Sequence, residues 1–218
     1  MISDFKQITE LLGELHAHLK KKVTLYLLGG GMMLYYTLKD ATKDMDVVVE
    51  TREEFLDLES ALKNAGFSAR IPSHAYRKLD LSQILIRDAL RIDLFEKSVC
   101  KGFSLSPPMK QRATSILKLE NIELKLCSHE DVFLFKTFTE REGDIDDCLH
   151  LVEKALDWKA MLAEIRHQIK TSRNKVWITW IGERLDILED RGLTIPIMKE
   201  VNRMRIVYFK ELEKKNNP

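Results

Sequence analysis

An apolar run that ends in three consecutive glycines, followed by a second apolar run that opens with aspartates, constrains the fold of this chain more than any other feature. The segment reads YLLGGGMMLYYTLKDATKDMDVVVE and spans residues 26–50. The first run, 23–28, has the composition and length of a β-strand. The second, 46–49, does not alternate between apolar and polar residues, which is typical of a strand buried on both faces. With a short helix over 31–38 between them, the region predicts an α/β unit.

The three glycines, Gly29, Gly30 and Gly31, place backbone N–H groups at the predicted start of a helix. Because these residues lack Cβ atoms, nothing obstructs a phosphate that approaches the N–H groups. The P-loop pattern is excluded, since no Gly-Lys-Ser or Gly-Lys-Thr follows. A dinucleotide-binding unit is an alternative, because Glu50 ends the next strand where such folds hold a ribose. That alternative has Leu34 in place of the third glycine and leaves the aspartates unexplained.

Two carboxylates stand at the start of the second strand. Asp44 and Asp46 are two residues apart, so their side chains project from the same face of the strand and can share a metal ion. If the second strand lies antiparallel to the first, both carboxylates return to the glycines, where Mg²⁺ can bridge carboxylate and phosphate. Asp93 lies in the otherwise apolar strand RIDLFE (91–96), where an ionised carboxylate is costly unless a metal or partner compensates it. An edge-strand aspartate that faces water is the alternative for Asp93.

The glycine pair, the Asp-x-Asp pair and the later aspartate together resemble the nucleotidyltransferase superfamily, which includes DNA polymerase β, minimal nucleotidyltransferases and toxins of abortive-infection systems. The layout LLGGGMMLYY…ATKDMDVVV, with Thr42 two residues before Asp44, is closest to the branch of AbiEii-like toxins. The resemblance covers residues 23–96. A weaker match lies in FLFKTFTEREGDIDDCLHLV (133–152), which is similar to a helical segment downstream in that branch.

The resemblance implies an enzyme that transfers a nucleoside monophosphate from an NTP to an acceptor hydroxyl and releases pyrophosphate, with two Mg²⁺ or Mn²⁺ ions. Asp44 and Asp46 would hold both ions, and Asp93 would hold the catalytic one and help activate the acceptor hydroxyl. The implied nucleotide-binding set combines the glycine turn with a threonine and basic side chains: Gly29, Gly30, Gly31, Thr42, Lys43, Lys136 and Arg141.

Two further aspartates, Asp144 and Asp147, match the downstream pattern and lie three residues apart on one helix face. They are candidates for orienting Lys136 or Arg141. The alternative is a solvated helix start, where acidic residues suit the positive end of the helix dipole. The chain also departs from the branch, because Asp40 stands where many members carry an arginine. The nearby Lys39 and Lys43 cannot form two parallel hydrogen bonds as arginine does, so we expect different contacts with the triphosphate.

Beyond these motifs, the pattern predicts an α/β domain over 1–105, and the resemblance implies that it is nucleotidyltransferase-like, with a mixed sheet flanked by helices. A mostly α-helical domain over 106–218 follows and opens with a β-hairpin. Helix and strand patterns alternate through the first hundred residues, and Pro107-Pro108 mark the boundary. Later segments have the apolar periodicity of helices.

Composition limits the classes of partner. Thirty-five basic and thirty-four acidic residues leave a net charge of +1, so no strong whole-molecule field attracts nucleic acid. No apolar run is long enough for a membrane span and the N-terminus lacks a signal-peptide layout, so we expect a cytoplasmic protein without membrane contact. The 3 cysteines are widely spaced and favour neither a disulfide framework nor a zinc site.

The resulting hypothesis is a metal-dependent, toxin-like nucleotidyltransferase. Its substrate is an NTP, its acceptor a tRNA or other RNA, a protein or a small molecule, and its partner a cognate antitoxin. A non-catalytic nucleotide-binding or partner-binding protein that retains the fold is the alternative. Arg87 and Arg91, which flank the turn before Asp93, are expected to face solvent, with phosphate contact as the alternative. His74 is expected to be a loop residue rather than an acid or base.

Overall fold

The computed structural model of the chain describes residues 1–71, 79–139, 141–172 and 174–216. The chain divides into two compact units, Met1–Ser128 and His129–Pro218. The first unit contains a seven-stranded mixed sheet with helices, and the described elements of the second unit are helices. This confirms the predicted mixed sheet flanked by helices and followed by a helical region.

The first unit begins with helix and alternates between helix and strand through residue 64, and five consecutive described strands follow, so the expected alternation holds only for the first part. Its helices are α1 (Phe5–Leu15), α2 (Gly29–Tyr35), α3 (Arg52–Asn64) and α4 (Pro107–Arg112). Its strands are β1 (Val23–Leu28), β2 (Met45–Val49), β3 (Ser68–Arg70), β4 (Leu81–Arg87), β5 (Leu90–Glu96), β6 (Ser98–Cys100), β7 (Phe103–Ser104), β8 (Thr114–Lys118) and β9 (Ile122–Leu126). The second unit contains α5 (His129–Lys136), α6 (Glu142–Val152), α7 (Trp158–Ser172), α8 (Trp177–Asp190) and α9 (Met198–Asn216).

The sheet has the strand order β3-β4-β5-β2-β1-β9-β8. The two runs around the glycines, β1 and β2, lie near its centre, where their side chains are covered on both faces. Continuous apolar character suits that position, whereas alternating strands suit a half-exposed edge. β1 pairs antiparallel with β2, while β2 pairs parallel with β5 and β1 pairs parallel with β9. The sheet is therefore mixed, and its central strands carry the sequence motif.

Helix α3 packs against β1, β2 and β5. It starts after Thr51 because the Thr51 side chain accepts a hydrogen bond from the Glu54 backbone while the Glu54 side chain accepts one from the Thr51 backbone. Its buried face carries apolar side chains at helical spacing, namely Phe55, Leu58, Ala61 and Leu62. Burial of each large apolar side chain contributes roughly 1.5–3 kcal/mol relative to exposure. The helix thereby covers one face of the sheet at its central strands.

The predicted hairpin is present as β8 and β9, but it completes the sheet of the first unit. β9 pairs with β1 along its length, with Leu124 opposite Leu25. Its alternating apolar residues, Ile122, Leu124 and Leu126, are buried. The expected boundary at residue 105 had assigned this hairpin to the helical domain, whereas the division between the two compact units follows Ser128. The hairpin belongs to the first unit because β9 pairs with β1, which lies about a hundred residues earlier in the chain.

The helices of the second unit enclose a core of their own, with Phe133, Ile165 and Trp177 almost fully buried. In neither unit do the described residues form a helix with the length and apolar character needed to cross a membrane. All three cysteines, Cys100, Cys127 and Cys148, are buried and are not part of a disulfide. Burial raises the pKa of the Cys148 thiol to about 12, so this thiol stays protonated at neutral pH.

Candidate active site

The antiparallel pairing of β1 and β2 brings the first aspartates to the glycines. Leu28, the last residue of β1, is the register partner of Asp46. The chain therefore leaves β1 at Gly29 beside the Asp46 carboxylate. This confirms the antiparallel return that we expected for a shared metal and phosphate site. It contradicts the dinucleotide-binding alternative, which requires β1 and β2 to run parallel.

The glycines form the first turn of α2 instead of a loop before it. The helix predicted over 31–38 starts at Gly29 and ends at Tyr35. Gly29 has a φ of +61°, and a Cβ atom there would lie 2.3 Å from Asp46 Oδ2. A Cβ atom on Gly30 would lie 2.3 Å from Thr42 Oγ1. Glycine is thus needed at both positions so that the helix start can approach two of the candidate site residues.

The third carboxylate lies beside the second one on the neighbouring strand. Asp46 and Asp93 are register partners in the parallel pair of β2 and β5, so both side chains project from the same face of the sheet. Asp93 is only 2% exposed. The expected alternative, an edge-strand aspartate that faces water, is therefore wrong. Asp44 precedes β2 and is half-buried.

Arg91 compensates the buried carboxylate of Asp93. Its Nε donates to Asp93 Oδ1 at 2.7 Å, and one of its terminal nitrogens donates to Asp93 Oδ2 at 2.6 Å. Arg91 Nε also lies 3.9 Å from Asp44 Oδ2. We expected Arg91 to face solvent, but its side chain is only 23% exposed. The period of two along β5, which places Arg91 and Asp93 on one face, is the sequence signal that identifies this pair.

The N-terminal segment holds the loop that leads into β2. Ile2 and Thr42 exchange two backbone hydrogen bonds of 2.8 Å. The Thr42 hydroxyl donates to the Asp44 backbone carbonyl at 3.1 Å, and Thr42 itself is buried. Two other residues of this loop, Lys43 and Asp40, are exposed. The role of Ile2 had no signal in the sequence, because its pairing partner is forty residues away.

Residues 3–179 match the profile of a family described as a nucleotidyltransferase of unknown function (DUF6036). The match covers most of the chain and includes all three carboxylates. The chain belongs to this family. The assignment supports the nucleotidyltransferase superfamily that the glycine and aspartate pattern indicated. No curated protein matches the chain.

Two solved structures of the antibiotic-resistance factor ANT(2'')-Ia have a fold similar to that of this nucleotidyltransferase. A solution structure matches with a TM-score of 0.53 and 11% sequence identity, over 78% of this chain and 95% of that chain. A crystal structure in complex with adenylyl-2''-tobramycin matches with a TM-score of 0.50 and 11% identity, over 76% of this chain and 98% of that chain. At this level of identity the likeness shows the fold alone.

The carboxylates of this nucleotidyltransferase have the chemistry that a hard divalent cation requires. Aspartate oxygens are the ligands that Mg²⁺ and Mn²⁺ prefer. A cationic group, the Arg91 guanidinium, already contacts Asp93 and approaches Asp44. Within the described residues, no group of three His, Cys, Asp or Glu side chains is close enough to hold a metal ion as it stands. The donor types therefore suit a hard divalent ion, while in this structure the guanidinium contacts Asp93 and lies 3.9 Å from Asp44.

The opposite end of β2 carries Glu50, which the dinucleotide alternative assigned to a ribose. The Tyr26 hydroxyl donates to Glu50 Oε1 at 2.9 Å, and the Lys110 ammonium donates to Oε2. Burial alone would raise the pKa of Glu50, but the bonds from Lys110 and Tyr26 outweigh it and lower the pKa. Burial and the Glu50 charge raise the pKa of Tyr26. Glu50 thus serves as an acceptor for two side chains of its own unit.

In the second unit, the predicted contacts of Asp144 and Asp147 are confirmed. The buried Lys136 ammonium donates to Asp144 Oδ1 at 2.8 Å and to Asp147 Oδ2 at 2.6 Å. Arg141 Nε donates to Asp144 Oδ2 at 2.7 Å, and the Thr139 hydroxyl donates to the same oxygen.

This ion cluster shifts the pKa values of Lys136 and Asp144. Burial opposes the charge on Lys136, but the two carboxylates outweigh burial and raise the pKa of Lys136. Burial likewise opposes ionisation of Asp144, yet Lys136, Thr139 and Arg141 together lower its pKa to about 2. Lys136 and Asp144 are therefore both charged at neutral pH. His74, considered above as an acid or base, lies outside the described residues.

Proposed function

We propose that this protein is a metal-dependent nucleotidyltransferase that transfers a nucleoside monophosphate from an NTP to an acceptor hydroxyl and releases pyrophosphate. The observation that carries the proposal is the register of Asp46 and Asp93 on adjacent strands, beside the glycine turn that Leu28 leads into. Family membership supports it, because the matched residues include this whole region.

Asp44, Asp46 and Asp93 would hold two divalent ions, Mg²⁺ or Mn²⁺. When bound, such ions supply charge neutralisation for the phosphates and a lowered pKa for the attacking hydroxyl. The chain itself supplies the positions of the carboxylates. β2 and β5 fix Asp46 and Asp93 at equal height. The Thr42 hydroxyl orients the loop at Asp44 through the backbone carbonyl.

The triphosphate is proposed to lie along the glycine turn. The absence of Cβ atoms on Gly29 and Gly30 lets Asp46 and Thr42 lie close to this turn, and the exposed Lys43 can add a positive charge beside the phosphates. Thr42 lies against Gly30 and completes the same wall. The exposed Asp40, which stands where the resemblance to the AbiEii-like branch implies an arginine, leaves the backbone and Lys43 as the main proposed contacts in this loop.

The nucleotide contacts predicted for Lys136 and Arg141 stay predictions. The Lys136 ammonium is paired with two buried carboxylates, so a direct contact with a triphosphate would require that cluster to open. The Arg141 side chain is 62% exposed although it bonds to Asp144, and it is therefore the more accessible cation.

For the acceptor, a small molecule with a free hydroxyl is supported better than RNA or protein. A neighbour of similar fold has been solved with adenylyl-2''-tobramycin, a nucleotide-modified small molecule. The net charge of +1 gives the chain no overall attraction to tRNA. The AbiEii-like toxin role and a cognate antitoxin stay predictions that rest on the resemblance around the glycines. A purely nucleotide-binding or partner-binding role gives no reason for a buried Asp93 beside Asp46, with Asp44 two residues before Asp46 in the chain.

The test is a transfer assay with each α-labelled NTP, Mg²⁺ or Mn²⁺, and acceptor pools of total RNA, total protein and hydroxylated small molecules that include tobramycin. We expect the wild type to transfer label to one pool and Asp46→Asn to lose this activity. The exposed Asp190 provides the matched control, and Asp190→Asn should behave as the wild type. Transfer no higher than that of Asp46→Asn with every nucleotide and pool would contradict the proposal.

A further inference from the structure

Arg91 holds both oxygens of Asp93 in a forked contact, with distances of 2.7 and 2.6 Å. The same guanidinium lies 3.9 Å from the Asp44 carboxylate. Arg91 therefore stands between two of the three carboxylates that the proposed function assigns to the metal ions. Paired charge-assisted hydrogen bonds of this kind are among the strongest polar contacts in proteins. A divalent ion that approaches Asp93 meets this fixed positive charge first.

A guanidinium and a divalent cation repel each other, and both favour the same carboxylate oxygens. Asp93 is 2% exposed, so it requires a positive partner at all times. We infer that Arg91 is a resident counter-cation that neutralises Asp93 when no metal is bound and that a divalent ion displaces when it enters. This inference rests on the proposed function, because it concerns the same metal ligands.

Displacement has a consequence for substrate order. The guanidinium that leaves Asp93 needs new acceptors, and the oxygens of an incoming triphosphate provide them. Metal binding at Asp93 is therefore weak in the absence of nucleotide and stronger in its presence. Arg91 in this account is a positioning residue that sets the metal affinity of the site.

The experiment is a titration of the nucleotide-free protein with Mn²⁺, in which free Mn²⁺ is followed by its electron paramagnetic resonance signal. We expect Arg91→Gln to bind Mn²⁺ about tenfold more tightly than the wild type, since no charge-assisted contact has to break. Arg87→Gln is the matched control. Arg87 lies at the end of the adjacent strand β4 and pairs with Glu14, so its removal changes the net charge equally.

If Arg91→Gln folds only with Mn²⁺ present, that metal requirement supports the inference, because the metal then replaces the lost cation. If Arg91→Gln does not fold in either condition, Arg91→Lys decides. Lysine keeps the positive charge but cannot form the two parallel hydrogen bonds to Asp93. If Arg91→Lys binds Mn²⁺ more tightly than the wild type, but less than tenfold more tightly, the inference is supported. Wild-type Mn²⁺ binding with no gain in the variants would overturn the inference alone. The absence of saturable Mn²⁺ binding in every protein would overturn the proposed function as well.

Discussion

Replacement of Gly29 by alanine tests why the helix after β1 must begin with glycine. The native φ of +61° lies in the left-handed region, where a residue with a Cβ atom loses about 1 kcal/mol. The new Cβ atom would lie 2.3 Å from Asp46 Oδ2. Non-bonded heavy atoms normally approach to about 3.5 Å, so the carboxylate has to move by about 1 Å. Overpacking of this kind adds about 1 kcal/mol.

We therefore expect Gly29→Ala to lower the free energy of unfolding by about 2 kcal/mol in urea denaturation. Because Asp46 is a proposed metal ligand, its displacement should reduce label transfer about 100-fold, as shifts of this size do in other active sites. Gly13→Ala is the matched control. Gly13 lies in α1, and a Cβ atom there would contact nothing within 4 Å.

The control should be neutral or stabilised by about 0.5 kcal/mol, since alanine favours a helix interior more than glycine does. It should also transfer label at the wild-type rate. If Gly29→Ala unfolds at the same urea concentration as Gly13→Ala and keeps wild-type transfer, the close approach of the glycine turn to Asp46 has no functional meaning. That result would refute the reasoning.

Three further predictions concern other contacts. Gly30→Ala should lower the free energy of unfolding by about 2 kcal/mol, because the new Cβ atom meets Thr42 Oγ1. In the double variant, Thr42→Ala removes this oxygen and should recover part of the loss. Additive effects in a double-mutant cycle would contradict the contact. Lys136→Met should cost about 3–5 kcal/mol, because it removes the buried ammonium that contacts both Asp144 and Asp147, whereas Lys175→Met, which breaks an exposed pair, should cost less than about 1 kcal/mol. Asp144 has a pKa lowered from 3.8 to about 2, so its contribution to stability is complete above pH 3.8 and is lost as the pH falls toward 2. The free energy of unfolding of the wild type, from urea denaturation, should therefore fall by about 2 kcal/mol over this pH range, and Asp144→Asn should lack this fall.

The local part of this site was readable from the sequence. A run of apolar residues before the glycines predicted β1, and the two-residue period predicted that Asp44 and Asp46 share a face. An isolated aspartate in an apolar strand predicted that Asp93 has a compensating partner. Each of these inferences depends on residues close together in the chain, where strand period and the cost of buried charge decide the outcome.

The remaining features depend on pairings that local patterns do not encode. The hairpin of β8 and β9 joins the sheet because β9 pairs with β1 across almost a hundred residues. Ile2 holds Thr42 through backbone bonds that any residue type could make. Gly29 and Gly30 were predicted to precede the helix over 31–38, but α2 begins at Gly29, and both glycines lie against Asp46 and Thr42. Arg91 was the exception, since its spacing from Asp93 was visible and its exposure was misjudged.

The central claim, that the three carboxylates hold the metal ions for nucleotidyl transfer, is tested most directly by a crystal structure with Mn²⁺ and a non-hydrolysable NTP analogue. The account predicts anomalous peaks for Mn²⁺ in contact with Asp44 and Asp46, with Asp93 as a ligand of one ion. It also predicts phosphates along the turn that begins at Gly29. Mn²⁺ bound away from these carboxylates, or a nucleotide whose ribose lies at Glu50, would contradict it.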